Sequence, residues 1–247
     1  MNRKQLACAA VTAGLVLGSG VAGATTTWTL NGGTTMPTLS AWYAGTDSAS
    51  LSSGAVTGWD GGVGVKSDSS NETTSPNHAL DNRDRFESLL LNFGPSEVRL
   101  DTVSIGWSTE RKERSDFFLL AYTGSAPFSG SLSSSSYSSL LSNGWTLIGN
   151  YAGTAVPGSS PINYTTTASV HSSFWLIGAG SINGSGVGYG SAASDVRQYY
   201  DYIKIASVSG AIQTSTPPAA VPEPESLALA GLGLLGLVAT RRRWKSA

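Results

Sequence analysis

The chain has 247 residues, a formal net charge of −1, one cysteine and two histidines. A single cysteine, Cys8, excludes a disulfide scaffold and a cysteine metal centre. With the two ends set aside, nine Lys/Arg face 14 Asp/Glu, a net charge of −5 that argues against nucleic acid, which wants a basic patch. The N-terminus opens with Arg3 and Lys4, then an apolar run from Leu6 to Val21, then Ala22-Gly23-Ala24. That order of charge, apolar run and small residues is a secretory signal peptide, cut after Ala24. Cys8 leaves with it and lies too early to be a lipoprotein cysteine.

About 197 residues remain between the two ends, one domain by size. They are rich in Gly, Ser and Thr and hold short β-branched and aromatic runs between turns. The pattern predicts an all-β fold, an antiparallel, jelly-roll-like β-sandwich. Thr26 to Leu30 reads as a first strand and Leu39 to Tyr43 as a second. Asp47 to Asn77 reads as loops around one or two edge strands, and Ser75 to Asn82 as a compact turn. Ser88 to Phe93 is the central strand, and Glu97 to Trp107 follows. In the latter, Val98 and Leu100 share one face while Val103, Ile105 and Trp107 share the other. Burying all five needs a bulge or bend at Asp101-Thr102. Glu110 to Arg114 reads as a solvated hairpin tip, and Phe117 to Tyr122 as a buried strand. Ser129 to Asn143 suggests a short surface helix or an ordered loop. Strands follow at Gly144 to Tyr151, Thr165 to Val170, Ser173 to Ala179 and Tyr199 to Val208. In the last, Ile203 and Ile205 point inward, while Tyr202 and Lys204 point to solvent. The core candidates are Leu89, Leu91, Phe93, Val103, Ile105, Phe118, Leu120, Leu147, Trp175, Ile177, Ile203 and Ile205, with Leu90 and Leu119 as alternates.

The C-terminus carries the most specific pattern. Residues 212–221 form an extended linker with Pro217-Pro218. Pro222-Glu223-Pro224 comes next, then an apolar run from Leu227 to Ala239, then Arg241-Arg242-Arg243-Trp244-Lys245. The prolines hold the chain extended, and the arginines stay with water and anionic headgroups on the cytoplasmic side. The fifteen residues from Ser226 to Thr240 span roughly 22 Å as a helix, short of the roughly 30 Å of a hydrocarbon core, so a processed tail is the better reading than a plain anchor. Val221 to Ala247 resembles the PEP-CTERM sorting signal recognised by exosortases in Gram-negative envelopes. The resemblance implies passage through the Sec translocon and an inner-membrane intermediate held by the C-terminal transmembrane helix. It also implies processing by an exosortase at Pro222, Glu223 and Pro224, with Arg241, Arg242 and Arg243 as retention cations. The expected organisation is a signal peptide (1–24), a β domain (25–211), a linker (212–221) and a sorting signal (222–247). Residues 75–82, 88–107, 115–124 and 144–151 also resemble the exosortase-dependent surface protein family, which implies no activity.

Chemistry within the β domain is sparse. His78 sits near Asp81 and Asp84, but no G-x-S-x-G elbow, HExxH or P-loop accompanies it, and it reads as a turn histidine. Asp81, Asp84 and Glu87 offer oxygen ligands of the kind Ca²⁺ takes, with Arg83 and Arg85 as competing cations. No metal and no cofactor is therefore expected. Aromatics are the better clue, because aromatic faces stack on sugars. Trp107 and Trp145 lie in strand patterns and read as core. Trp42, Tyr43, Trp59, Tyr200 and Tyr202 are the surface candidates for contact with extracellular polysaccharide. Three readings stay open: a non-enzymatic exported surface protein, a carbohydrate-binding module, or a secreted hydrolase. The processing expectation is direct to check: mass spectrometry of the exported protein should give an N-terminus at Thr25, and an intact Met1 in the envelope fraction refutes it.

Overall fold

The computed structural model describes residues 24–32, 37–70, 72, 74–108, 115–153, 160–188, 200–213 and 232. Residues 1–23, where a signal peptide is expected, the charged segment Glu110–Arg114 and the C-terminal segment 214–247 except Leu232 lie outside the described residues. The chain divides into two units, residues 1–212 and 213–247, and the description below concerns the first.

Its strands are β1 (Thr25–Thr29), β2 (Thr38–Ala44), β3 (Ser52–Trp59), β4 (Gly62–Lys66), β5 (Leu80–Asp81), β6 (Phe86–Asn92), β7 (Val98–Ser108) and β8 (Phe117–Tyr122). One short helix follows, α1 (Tyr137–Leu140), and then β9 (Trp145–Tyr151), β10 (Ile162–Thr165), β11 (Phe174–Ala179), β12 (Ser181–Asn183), β13 (Gly186–Gly188) and β14 (Tyr202–Ile212). Among the described residues, twelve strands join in one antiparallel sheet along the path β10-β7-β14-β4-β3-β2-β6-β11-β8-β9, with β1 and β5 also on β14. The sheet folds over itself at β3, which pairs with β4 on one side and β2 on the other. The two layers face each other across one core, so the domain is an antiparallel β-sandwich close to a barrel. The path ends, β10 and β9, approach through Thr167, whose hydroxyl donates to the Ile148 carbonyl at 3.1 Å.

β14 is the hub of the first layer. One edge pairs with β7 along its length. The other edge is shared in succession by β5 at Tyr202 and Ile203, β4 at Ile205 and β1 from Ser207 to Ala211. Three register shifts break the β7–β14 ladder. At the first, Leu100 and Thr102 oppose consecutive residues of β14, leaving Asp101 as the extra residue. This is the bulge that the parity of β7 requires, and it lets Val98, Leu100, Val103 and Ile105 all be buried. The other two shifts add Gly106 to β7 and Ala206 to β14, and they offset each other. Trp107 stands beyond that pair of bulges and is half-buried rather than core.

The second layer is apolar on both faces. Leu89, Leu91, Phe117, Leu119, Trp175 and Ile177 line the sandwich interior. Their neighbours Leu90, Phe118, Leu120 and Leu176 point outward, yet they too are buried. A second core covers them, made by Leu132, Tyr137 and Leu140 of the Ser-rich segment with Trp42 and Trp145. The Tyr137 hydroxyl lies 2.9 Å from Ser88 Oγ and 3.0 Å from the Phe86 carbonyl, so its one hydrogen serves either acceptor under that cover. α1 starts at Ser136, whose N–H donates to Ser139 Oγ at 2.9 Å, half of a capping box. The Ser-rich segment is thus an ordered lid on the sheet, built around a single helical turn.

Several expectations are corrected. β3 and β4 are central, not edge strands. Thr166 to Val170 is not strand: β10 ends at Thr165, and Thr166 instead donates its N–H to the Asp101 carbonyl exposed by the bulge. Phe118 and Leu120 belong to the outer core, with Phe117 and Leu119 taking the interior places. Leu147 is half-buried, because β9 is an end strand and bulges at Ile148. Tyr202 and Lys204, expected at the surface, are 0% and 5% exposed. The hairpin β12–β13 has no counterpart in the sequence reading. Two cores back to back have a measurable consequence. Leu91→Ala and Leu90→Ala should each cost about 2–5 kcal/mol in denaturant unfolding. A near-zero cost for Leu90→Ala would mean that the Ser-rich segment does not cover the sheet.

Candidate functional site

The β3–β4 hairpin brings the first set of functional side chains together. Its tip, Trp59-Asp60-Gly61-Gly62, lies against the paired bulges of β7 and β14. Gly61 and Gly62 have φ of +88° and +130°, backbone that side chains rarely adopt. A Cβ on Gly61 would stand 2.6 Å from the Trp107 Cβ and 3.0 Å from the Gly106 carbonyl oxygen. The glycines therefore permit a contact of backbone on backbone. Asn31 holds the hairpin from the other side by donating its side-chain amide to the Trp59 carbonyl at 2.8 Å.

This contact gathers Trp59, Trp107, Lys204 and His78. Trp59 is 42% exposed, and its indole leans on the His78 imidazole with centroids 4.4 Å apart. The Lys204 ammonium stands 4.7 Å from the Trp107 ring centre and 5.8 Å from that of Trp59. It donates to the Asp60 carbonyl at 3.3 Å. Burial lowers the Lys204 pKa, partly offset by Asp60. Burial also lowers that of His78, with Lys204 adding to the effect, so His78 is neutral at neutral pH. His78 is thus a turn histidine with an aromatic partner.

The other expected contacts do not join this set. Trp42 is buried at 6% exposure in the outer core, its indole N–H on Ser40 Oγ at 3.0 Å. Tyr202 lies wholly inside, beside Arg83. Both were expected at the surface; strand alternation fails for Trp42 because the outer core covers that face of its layer, and Tyr202 is buried where β14 pairs with Asp81 of β5. Tyr200 is 38% exposed under the Arg83 guanidinium, 5.9 Å from its ring centre. Tyr43 pairs with Ser52 at the start of β3, about 23 Å from Trp59 at the rise of a strand. There it lines a cavity of about 330 Å³ with Gly54, Lys66, Ser67 and Asp68.

Behind that cavity lies a cluster of acids. Ser67, on its wall, donates to Glu72 Oε1 at 2.7 Å. Glu87 is 1% exposed on the inner face of β6, and its Oε2 accepts the Asp81 N–H at 3.0 Å. Asp81 Oδ1 in turn accepts the Arg83 N–H at 2.9 Å. The oxygens Glu72 Oε2 and Glu87 Oε1 are buried without a hydrogen-bond partner. Burial raises all three carboxyl pKa values, and charge repulsion adds to it, from Asp84 on Glu72, from Glu72 and Asp84 on Asp81, and from Asp81 and Glu72 on Glu87. Of the proposed Ca²⁺ set, Asp81 and Glu87 meet here, while Asp84 is exposed and its Oδ2 accepts from Ser69 at 3.4 Å. Among the described residues no group of three His, Cys, Asp or Glu is placed to hold a metal ion.

A second buried acid pin escaped the sequence reading. Asp201 accepts from Asn82 Nδ2 and from the Asp116 N–H, both at 2.9 Å, and returns its own N–H to Asn82 Oδ1 at 2.8 Å. Asp116 accepts the Gly153 N–H at 2.7 Å. The pin ties the entries of β8 and β14 to the turn after β5. No local pattern announces it, since its members are 119 and 85 residues apart.

The Glu72–Asp81–Glu87 cluster makes stability depend on pH. Asp81 is raised from 3.8 to about 8, so the folded chain holds protons that the unfolded chain releases. Its contribution is present below about pH 4 and is lost as pH rises through 8. Glu87→Gln keeps an acceptor for the Asp81 N–H and removes one charge. It should match the wild type at about pH 3.5, below the unfolded carboxyl values, and be more stable by about 1 kcal/mol or more at pH 8, on the scale of one pKa unit. Equal stabilities at both values would refute a shared, raised protonation.

The sorting residues lie outside the described residues, so the comparison with known proteins bears on them directly. Among the described residues, no helix is long and apolar enough to cross a membrane. No curated protein matches the chain. Residues 220–243 match the family described as the PEP-CTERM protein-sorting motif, over the segment that carries Pro222-Glu223-Pro224, the apolar run and the three arginines. That motif marks an exported protein whose processing partner is an exosortase. The chain therefore carries a PEP-CTERM protein-sorting motif at residues 220–243, after its β-sandwich domain.

Proposed function

We propose that this is a non-enzymatic surface protein. It is delivered through the Sec translocon, held briefly in the inner membrane, cut by an exosortase, and left at the cell surface or in the extracellular matrix. The single observation that carries the reading is the sorting motif at residues 220–243. The apolar run from Leu227 to Ala239 holds the chain in the bilayer, and Arg241, Arg242 and Arg243 stay inside by the positive-inside rule. Pro222-Glu223-Pro224 then stands near the outer interface, extended by its prolines and ready to enter an enzyme cleft. The non-enzymatic part is supported by how the acids are used. The Asp81, Glu87, Asp116 and Asp201 carboxylates each accept a backbone N–H and hold turns in place.

Replacing Pro222, Glu223 and Pro224 together with Ala should leave full-length protein in the inner-membrane fraction. Replacing the three arginines with Ala should weaken retention, so that uncut protein slips outward. If the first variant reaches the surface with wild-type mass and yield, the motif is only a linker and the reading fails.

A further inference from the structure

We propose that the β3–β4 hairpin tip is a binding site for an acidic glycan, with Trp59 stacking on a sugar ring and Lys204 pairing with the carboxylate of a uronic acid. This goes beyond delivery to the surface, and it can fail while the sorting reading stands.

Exposure is the first argument. Trp59 is one of the few large hydrophobic side chains left open among the described residues, and it is a rigid one. The glycine contact, the Asn31 bond and the His78 stack fix its ring. A fixed aromatic face binds with little loss of side-chain freedom.

Charge is the second. Lys204 is 5% exposed, its ammonium stands against the Trp107 and Trp59 rings, and that group has three donors. Its acceptor is a neutral carbonyl, that of Asp60, and the ion pairs among the described residues, Arg85–Asp68 and Arg99–Asp101, do not involve it. A desolvated cation served by one neutral acceptor is complementary to an anion, and the bond it would form is of the strong, charge-assisted kind. The indoles beside it are complementary to the apolar face of a pyranose. One ligand class has both features, a sugar ring bearing a carboxylate. The neutral His78 neither competes for the anion nor adds to the cation.

Asp60 supplies the internal control. It is exposed at the turn and is the acid that acts on Lys204, so it opposes an incoming carboxylate. Asp60→Asn leaves an Asn-Gly pair, which suits a tight hairpin turn. Trp59 and Asp60 are both exposed, so neither substitution disturbs the core.

The test is binding of the purified full chain to polygalacturonate, with dextran as the neutral polymer and polyphosphate as an anion without a sugar face. Affinity electrophoresis and calorimetry give the readout. Polygalacturonate should bind, dextran should not, Trp59→Ala should weaken binding about 10-fold or more, Trp59→Tyr should restore part of it, and Asp60→Asn should tighten it. No binding of polygalacturonate by the folded wild type overturns the proposal. Equal binding of dextran overturns the acidic class, and binding of polyphosphate that is as tight and indifferent to Trp59→Ala overturns the site.

Discussion

The closest constraint in this domain is the backbone contact between the β3–β4 turn and the bulged centre of β7 and β14. β14 carries β7 on one edge and must share its other edge among β1, β4 and β5. β4 reaches it at one residue pair, Ile205 and Val63. The bulges at Gly106 and Ala206 and the turn glycines let that single bridge form without steric cost. Through it the sheet passes from one layer to the other, because β4 leads to β3 and β3 to β2. The same contact sets Trp59 beside Trp107 and Lys204. Fold closure and surface chemistry therefore share one set of small residues.

A second constraint is that the β6-β11-β8 layer is apolar on both faces. A strand buried on both sides reads as a continuous apolar run, as Leu89-Leu90-Leu91 and Phe117 to Ala121 do. Such a sheet needs a cover on its outer side, and the Ser-rich segment supplies it with few apolar residues. Gly178 shows how close the fit is: a Cβ there would run into the Phe118 ring. Ser88 sits under the cover as a polar residue and is satisfied by Tyr137. The layer thus behaves as the central sheet of a three-layer packing, although the domain is a two-layer sandwich elsewhere.

Charge is scarce and is placed inward more than usual. Glu72, Asp81, Glu87, Asp116 and Asp201 are all buried. Four of the five, Asp81, Glu87, Asp116 and Asp201, accept a backbone N–H through one oxygen, which replaces part of their hydration with a fixed dipole. Where three of them meet, repulsion is relieved by holding protons. Composition alone shows an acidic domain; placement turns that acidity into local turn clamps and a pH-dependent term.

The amino-acid sequence by itself determined the C-terminal sorting motif and the strand class. Charge order, apolar length and proline position are local properties, legible without a fold, and they carry the sorting signal. The strand runs, the bulge at Asp101 and the inward set Leu89, Leu91, Trp175, Ile177, Ile203 and Ile205 were legible too, because parity along a strand is local. Tertiary structure decided the rest. Strand alternation says which side a residue faces, and only packing says whether that side meets solvent. So Trp42 and Tyr202 went inside, while Trp59 stayed out on a turn. Trp107 and Lys204 became neighbours of Trp59 through glycine contacts between strands far apart in the chain. The acid pin of Asn82, Asp116 and Asp201 was illegible for the same reason: its members meet only once the sheet has folded over itself.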